Sequence, residues 1–220
     1  MATFALIHPP LLCPQVWGPF AEYLESRGQG VVIPDFRGAL DPSPKWWERA
    51  TKVCVETIGR QESMRLVCYS GSGVLAPLLA TNLSVDSVIF MDAVVPAESG
   101  HSMPDAEIKE MVKLLACDGH FPKWTRWWEG SLLNAMLPEV ALRQSIDENC
   151  PELPADFYEY GVPVPDNWAP PCVTYLQLSE GYTNYATEAA RRGWDVKTLD
   201  GDHLYVASHP AQVCKELGIG

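Results

Sequence analysis

The sequence has little positive charge. Its 16 lysine and arginine residues stand against 28 aspartate and glutamate residues, which gives a formal net charge of −12 at pH 7. Nucleic acids and anionic membrane surfaces bind proteins through basic patches. We therefore expect neither nucleic acid nor membrane as a main partner.

Long apolar runs are also missing. No stretch is long enough to span a bilayer. The first residues, MATFALIH, lack the basic region of a secretory signal and lead into two prolines after a short apolar run. The sequence thus predicts no transmembrane helix and no ordinary signal peptide, and we expect a cytoplasmic location.

The cysteines lack the spacing of a metal or disulfide framework. There are seven of them, an odd number, and no two form a CxxC pair. This pattern supports neither a zinc site nor a set of disulfide bonds. We expect most of them to be small buried hydrophobic residues.

What the sequence does contain is a regular alternation of short apolar runs and helix-like segments. Such alternation predicts parallel βαβ units in a doubly wound, mostly parallel sheet of the α/β class. With 47% hydrophobic residues, the chain has enough apolar side chains for one domain over residues 1–220. The predicted strands cover 3–7, 30–34, 65–69, 85–91, 173–178 and 194–199, and the predicted helices cover 16–27, 46–58, 73–83, 185–192 and 210–217.

Residues 97–171 interrupt this alternation. They are rich in proline and tryptophan, with helical patches at 105–115 and 131–142, and they are far longer than an ordinary connection. We interpret them as a mainly helical cap over the strand ends, where open α/β sheets bind ligands. Trp124, Trp127 and Trp128 would either contact a flat or apolar substrate or pack between cap and sheet.

The stretch LVCYSGSGVL (66–75) carries the clearest chemical signal. A strand runs into Ser70 and a helix leaves it almost at once, a turn that strains the serine backbone and exposes its hydroxyl. The two positions where glycine is usual hold Cys68 and Ser72, which are also small. A phosphate-binding turn is the alternative. It is disfavoured because the stretch has neither the P-loop lysine nor GxGxxG spacing, so we interpret Ser70 as a nucleophile.

A histidine follows the last predicted strand in LDGDHL (199–204). A loop at that strand end can reach a serine at the end of another strand of the sheet. A nucleophilic serine needs a base within hydrogen-bond reach and a carboxylate that orients the base. We predict His203 as this base.

Together these residues resemble the α/β-hydrolase superfamily, in particular its small capped members without a metal or organic cofactor. The likeness covers nearly the whole chain and implies the α/β-hydrolase fold, with no cofactor and no metal. The stretches that carry it are residues 6–8 followed by Trp17, the PDFRG stretch (34–38), the YSGSG turn (69–73) and the GDH loop (201–203).

The resemblance leaves two candidates for the carboxylate. Most members of the superfamily place it after the strand that follows the cap, which here is Glu180. Others place it after the strand before the cap, which is Asp92. Asp92 ends a wholly apolar run, where an unpaired carboxylate is costly. We therefore choose Asp92 over Glu180.

The oxyanion donors are also implied by the resemblance. One is the amide of Gly71, the residue after the nucleophile. The position that usually supplies the second holds Pro10, which has no N–H group. Either Leu11 donates instead, or the oxyanion hole is incomplete.

These features predict acyl transfer from an apolar or aromatic ester or thioester through a Ser70 acyl-enzyme, by an esterase, thioesterase or acyltransferase. The alternatives are a lyase, cyclase or epimerase that uses Ser70 and His203 for acid–base chemistry, or a ligand-binding protein. The expected partner is a small acyl substrate. A carrier protein that presents it would meet the basic residues Lys123, Arg126 and Arg143.

Overall fold

The protein is built on one six-stranded parallel sheet. The computed structural model describes residues 2–168 and 172–219. Its strands are β1 (Thr3–Ile7), β2 (Gly30–Val32), β3 (Met64–Tyr69), β4 (Ser87–Met91), β9 (Val173–Gln177) and β10 (Asp195–Thr198). The sheet order is β10-β9-β4-β3-β1-β2 and every pairing is parallel, which confirms the predicted α/β class.

Helices cover both faces of this sheet. One face carries α1 (Gly18–Ser26), α8 (Tyr205–Ser208) and α9 (Pro210–Glu216), and the other carries α2 (Trp46–Ile58), α3 (Ala76–Asn82) and α7 (Thr183–Arg191). In β3, Val67 and Tyr69 face the first set, whereas Leu66 and Cys68 face the second. The sheet is thus doubly wound, and its central strands are apolar on both faces because both are covered.

Two predicted helices begin later than expected. Residues Pro14–Trp17 and Ser70–Leu75 form 3₁₀ turns, and the α-helices follow at Gly18 and Ala76. A proline stands at the start of each α-helix, Pro19 in α1 and Pro77 in α3. Proline has no N–H for an intrahelical bond and is therefore restricted to the first turn.

A long insertion connects β4 to β9, and we call residues 97–168 the inserted segment. The predicted boundary at residue 171 lies outside the described residues. The segment contains β5 (Gly100–Ser102), α4 (Ala106–Leu115), β6 (His120–Phe121), α5 (Gly130–Met136), α6 (Val140–Asn149), β7 (Leu153–Pro154) and β8 (Val162–Val164). The strands form two small antiparallel pairs, β5 with β8 and β6 with β7.

The helical patch predicted over 131–142 is divided between two helices. The chain forms α5 and α6 there, separated at Leu137, Pro138 and Glu139. Pro138 cannot continue α5, and the Glu139 side chain accepts the backbone N–H groups of Ala141 and Leu142 at the start of α6. The break thus has both a stop signal and a new helix cap.

Five of the seven cysteines are buried, and all seven are free thiols. The exposed ones are Cys117 and Cys172. The prediction that most cysteines are buried hydrophobic residues is confirmed. Among residues 2–168 and 172–219, no helix has the length and apolar character needed to cross a membrane.

Candidate active site

Ser70 occupies a strained turn directly after β3. Its φ angle is +54°, in the left-handed region that residues other than glycine rarely adopt. The Ser70 carbonyl accepts the Val94 N–H at 3.0 Å, which fixes the turn from the neighbouring strand end. This backbone places the Ser70 hydroxyl in a cavity above the sheet.

Small residues around Ser70 allow the chain to pass closely. A Cβ atom on Gly73 would lie 2.0 Å from the Val94 carbonyl oxygen, so only glycine fits there. Ser72 is fully buried at the position where glycine is usual. Its hydroxyl accepts the Tyr69 N–H at 2.9 Å and donates to the Ile7 carbonyl at 2.9 Å. The departure from the glycine pattern is tolerated because this hydroxyl is hydrogen-bonded.

The structure brings Ser70, His203 and Asp92 into one hydrogen-bonded chain. His203 Nε2 lies 3.1 Å from Ser70 Oγ, and His203 Nδ1 lies 2.7 Å from Asp92 Oδ2. The three residues come from the ends of β3 and β4 and from the loop after β10. This is the arrangement of nucleophile, base and orienting carboxylate that the chemistry requires.

Asp92 is fully buried yet well compensated. Besides His203, its carboxylate accepts the N–H groups of Leu178 and Ser179, at 2.9 and 3.1 Å, and the Ser179 hydroxyl at 2.6 Å. Four donors therefore replace the water that a buried carboxylate loses. Glu180, the other candidate, is exposed and makes no hydrogen bond to His203 within the described residues. The structure thus places Asp92, and not Glu180, beside the histidine.

Tyr182 is a site residue that the sequence analysis missed. Its hydroxyl lies 2.9 Å from Ser70 Oγ, and its ring stacks on the His203 imidazole with centroids 4.9 Å apart and planes 4° from parallel. Burial raises the pKa of the Tyr182 phenol, so it stays protonated at neutral pH. Its position two residues after Glu180, just past a strand end, was the only signal available in the sequence.

A second tyrosine supports the histidine from below. Tyr69 is fully buried at the end of β3, and its hydroxyl donates to the backbone carbonyl of His203. The Tyr69 ring also packs against the His203 ring, with centroids 4.9 Å apart. These two contacts of Tyr69 fix the position of the histidine loop above the end of β3.

The two predicted oxyanion donors, Gly71 and Leu11, both line the cavity. Pro9 accepts the Leu12 N–H at 3.1 Å, so Pro10 and Leu11 form the centre of a turn. Within the part of the chain that the structure describes, the Leu11 N–H has no hydrogen-bond acceptor. Pro10 packs against Gly71, its Cδ 3.5 Å from where a Gly71 Cβ would lie. The Leu11 amide thus lies in a residue of the cavity wall and has no acceptor among the described residues, despite the neighbouring proline.

The cavity above Ser70 has a volume of about 780 Å³. Trp124, Trp127 and Trp128 from the inserted segment all line it. The Trp124 ring centroid lies 6.1 Å from that of His203 and 5.4 Å from that of Trp128. Further apolar lining residues come mainly from the same segment: Met103, Ile108, Met111, Leu132, Met136, Phe157 and Val162.

The side chains around the cavity that carry a formal charge are carboxylates. Among the described residues that line it there is no lysine and no arginine, whereas four acidic side chains are present: Asp105, Glu180, Asp200 and Asp202. Burial raises the pKa of Asp202. The cavity is therefore unfavourable for an anion.

The basic residues of the inserted segment form contacts within that segment. Arg126 makes a two-pronged ion pair with Asp147, at 2.9 and 2.8 Å, and Lys123 donates to the Asp147 carbonyl at 2.8 Å. Arg143 donates to the Leu137 carbonyl. In residues 2–168 and 172–219, no three histidine, cysteine or acidic side chains are grouped as ligands for a metal ion.

Comparison with known proteins relates the chain to others through its structure. No protein-family profile matches the sequence, and no curated protein is significantly similar to it. An extracellular α/β-hydrolase from a Paenibacillus species superposes with a TM-score of 0.75 at 18% identity, over 99% of this chain and 98% of its own. It is described as structurally and functionally homologous to tobacco salicylic acid binding protein 2.

Two further solved structures are similar to this chain over nearly its whole length. A pyrethroid hydrolase from Sphingobium faniae JZ-2 gives a TM-score of 0.69 at 16% identity, over 99% of this chain and 96% of its own. Tomato methylketone synthase I, in complex with 2-tridecanone, gives 0.68 at 13% identity, over 98% and 96%. The chain therefore has the α/β-hydrolase fold, as its resemblance to that superfamily implied.

Proposed function

We propose that this chain, an α/β-hydrolase-fold protein, is a serine-dependent enzyme that transfers acyl groups from apolar esters, most simply to water. The observation that carries the proposal is the hydrogen-bonded chain from Ser70 through His203 to Asp92, at the floor of an apolar cavity. Solved structures of the same fold include a pyrethroid hydrolase and a polyneuridine aldehyde esterase, which supports hydrolytic chemistry.

The first half-reaction forms an acyl-enzyme. His203 Nε2 takes the proton of the Ser70 hydroxyl as Oγ attacks the ester carbonyl, and the carbonyl electron pair moves onto oxygen. The amides of Gly71 and Leu11 stabilise that oxyanion. Asp92 holds the imidazole in the tautomer with Nε2 free and stabilises the imidazolium. The carbon–oxygen bond to the leaving group then breaks, and His203 gives its proton to the departing alkoxide.

The second half-reaction releases the acyl group. A water molecule, or another nucleophile in an acyltransferase, attacks the acyl carbonyl while His203 again takes its proton. The tetrahedral intermediate collapses, and Ser70 leaves as a hydroxyl by recovering the proton from His203. The inserted segment, which lines the cavity with Trp124, Trp127 and Trp128, would act as a cap that limits the entry of water.

The lining favours an apolar substrate without negative charge. Trp124, Trp127 and Trp128 offer flat apolar surfaces. The four carboxylates around the cavity, with no basic side chain to oppose them among the described lining residues, disfavour an anionic acyl or alcohol group. A thioester on a carrier protein and a cytoplasmic location stay predictions.

The test is to detect the covalent intermediate. The purified protein is mixed with short aryl and alkyl esters and thioesters, and its intact mass is followed over time. We expect a gain of one acyl group, absent in Ser70→Ala and present in Ser208→Ala, whose hydroxyl bonds to His209 away from the cavity. His203→Ala should also fail to acquire the group.

Each alternative gives a different result. Water, amine and thiol acceptors separate a hydrolase from a transferase by the product released. No adduct and no product with any donor would contradict the acyl-enzyme. The site would then be better explained by acid–base chemistry or by ligand binding alone.

A further inference from the structure

Tyr182 touches the nucleophile directly. It ends the short 3₁₀ turn Glu180–Tyr182 between β9 and α7. We propose that Tyr182 is a further catalytic residue, whose phenol O–H donates to Ser70 Oγ in the resting enzyme and to the leaving-group oxygen during ester cleavage. This inference rests on the acyl-transfer function proposed above.

The direction of each hydrogen bond follows from the chain of contacts. The Asp92 carboxylate accepts a hydrogen bond from His203 Nδ1, so His203 Nε2 carries the free lone pair. Ser70 has a single hydroxyl proton and donates it to Nε2. Tyr182 must then donate to Ser70 Oγ, across the 2.9 Å that separates the two oxygens. Because burial raises the pKa of this phenol, Tyr182 acts as a donor and not as a base.

The sheet order shows from which side Tyr182 reaches Ser70. Leu11 follows β1, which adjoins β3 on one side, whereas Tyr182 follows β9, which lies beyond β4 on the other side. Tyr182 therefore approaches Ser70 from the side away from the Leu11 amide. Its ring lies flat on His203, the group that protonates the leaving group. The phenol is thus placed on the leaving-group side and not at the oxyanion.

The hydrogen bond moves as the reaction proceeds. When the bond between Oγ and the carbonyl carbon forms, the Oγ proton passes to His203 and Oγ becomes part of an ester, which is a weaker acceptor. As the bond from carbon to the leaving oxygen breaks, the electron pair goes to that oxygen and its negative charge grows. Tyr182 donates to this oxygen and keeps its own proton, while His203 supplies the proton that completes the alcohol.

This role makes the benefit of Tyr182 depend on the leaving group. An alkoxide carries much charge before it is protonated, whereas a p-nitrophenolate is stable by itself. Removal of one donor to a charged acceptor costs about 10- to 100-fold in rate. We therefore expect Tyr182→Phe to lower kcat/KM about 10- to 100-fold on an ethyl ester, and less than about 3-fold on the p-nitrophenyl ester of the same acid.

The control is a tyrosine from the same wall of the cavity. Tyr185 packs against Tyr182, with centroids 5.7 Å apart, but its hydroxyl donates to Asp105 and not to Ser70. Tyr185→Phe removes a phenol hydroxyl there and should change kcat/KM by the same factor on both esters. In Tyr182→Phe the ring remains to stack on His203, and circular dichroism will check that the fold is intact.

The ratio of kcat/KM on the ethyl ester to kcat/KM on the p-nitrophenyl ester, in Tyr182→Phe and in the parent protein, tests the role of Tyr182. A loss that is equal on both esters, or no loss, would overturn the leaving-group role of Tyr182, since a merely structural effect does not distinguish leaving groups. If the parent protein acylates Ser70 and this ratio does not change, the Tyr182 proposal fails and the acyl-enzyme stands. If the parent protein forms no adduct at all, both proposals fail.

Discussion

Asp92 and His203 are separated by 111 positions in the sequence, yet Asp92 Oδ2 lies 2.7 Å from His203 Nδ1. Asp92 follows β4, before the inserted segment, and His203 follows β10, near the end of the chain. The histidine loop must cross back over the ends of β9 and β4 to reach Ser70 at the end of β3. Asp92, at the end of β4, is the carboxylate that the imidazole meets there, whereas Glu180, which follows β9, is exposed.

This contact predicts unequal effects of two carboxylate substitutions. Asp92→Asn keeps the size of the side chain but presents an amide that stabilises the wrong imidazole tautomer. We expect it to lower kcat about 10³- to 10⁴-fold. Glu180→Gln should lower kcat less than about 10-fold, because Glu180 makes no hydrogen bond to His203. Steady-state kinetics on one neutral ester would test this, and the opposite ranking would exclude Asp92 as the orienting group.

The two glycines after Ser70 should differ in their tolerance of a methyl group. In Gly73→Ala the new Cβ would meet the Val94 carbonyl at 2.0 Å, so backbone must move. We expect the free energy of unfolding to fall by at least about 2 kcal/mol. In Gly71→Ala the nearest atom is Pro10 Cδ at 3.5 Å, an ordinary contact, and the change should stay below about 1 kcal/mol. Equal midpoints in urea unfolding would contradict the close approach.

His8 predicts an acid-sensitive contribution to stability. It is fully buried, donates through Nδ1 to the Pro9 carbonyl at 2.8 Å and stacks on Phe36. Burial lowers the pKa of His8 from 6.5 to about 4. Because the folded state binds this proton less readily than the unfolded state, stability is fully present above pH 6.5. It is lost as the pH falls toward 4, by about 3 kcal/mol.

This loss can be separated from that of the carboxylates, which titrate in the same range. Urea unfolding at several pH values between 7 and 4 would be compared for the parent protein, His8→Gln and His101→Gln. His101 is exposed, so its variant should follow the parent protein. His8→Gln should show a shallower decline. Parallel curves for all three proteins would show that His8 is not kept neutral by burial.

The four carboxylates that line the cavity predict that the enzyme discriminates between substrates by charge. Three aryl esters of one scaffold would carry a tert-butyl, a trimethylammonium or a carboxylate group at the same position. We expect kcat/KM for the carboxylate to lie at least about 10-fold below that for the neutral ester. The cationic ester should react as well as the neutral one or better. Added salt should reduce the differences in kcat/KM among the three esters. The double variant Asp105→Asn/Glu180→Gln should reduce them as well. A preference for the anion would contradict this view of the cavity.

The sequence by itself determined the strands of the sheet and two residues of the site. The central strands lie under helices on both faces, so they appear in the sequence as unbroken apolar runs such as Val88–Met91 within β4. Ser70 could be identified because it directly follows such a run, at the end of β3. His203 could be identified because it lies in the loop after the last predicted strand. At these two positions the local sequence and the tertiary environment point to the same structure.

The desolvation argument favoured Asp92 over Glu180 from the sequence, and the tertiary structure showed Asp92 beside His203. Only the tertiary structure revealed Tyr182. Both carboxylates follow strands of the sheet. What separates them is that Asp92 is buried beside His203 and accepts the N–H groups of Leu178 and Ser179, whereas Glu180 is exposed. Tyr182 meets Ser70 across 112 positions of the chain, and no local pattern encodes such a contact. The small strands of the inserted segment were also beyond the sequence. Strands of two or three residues have too few positions to show a period, and they form because they pair with distant partners.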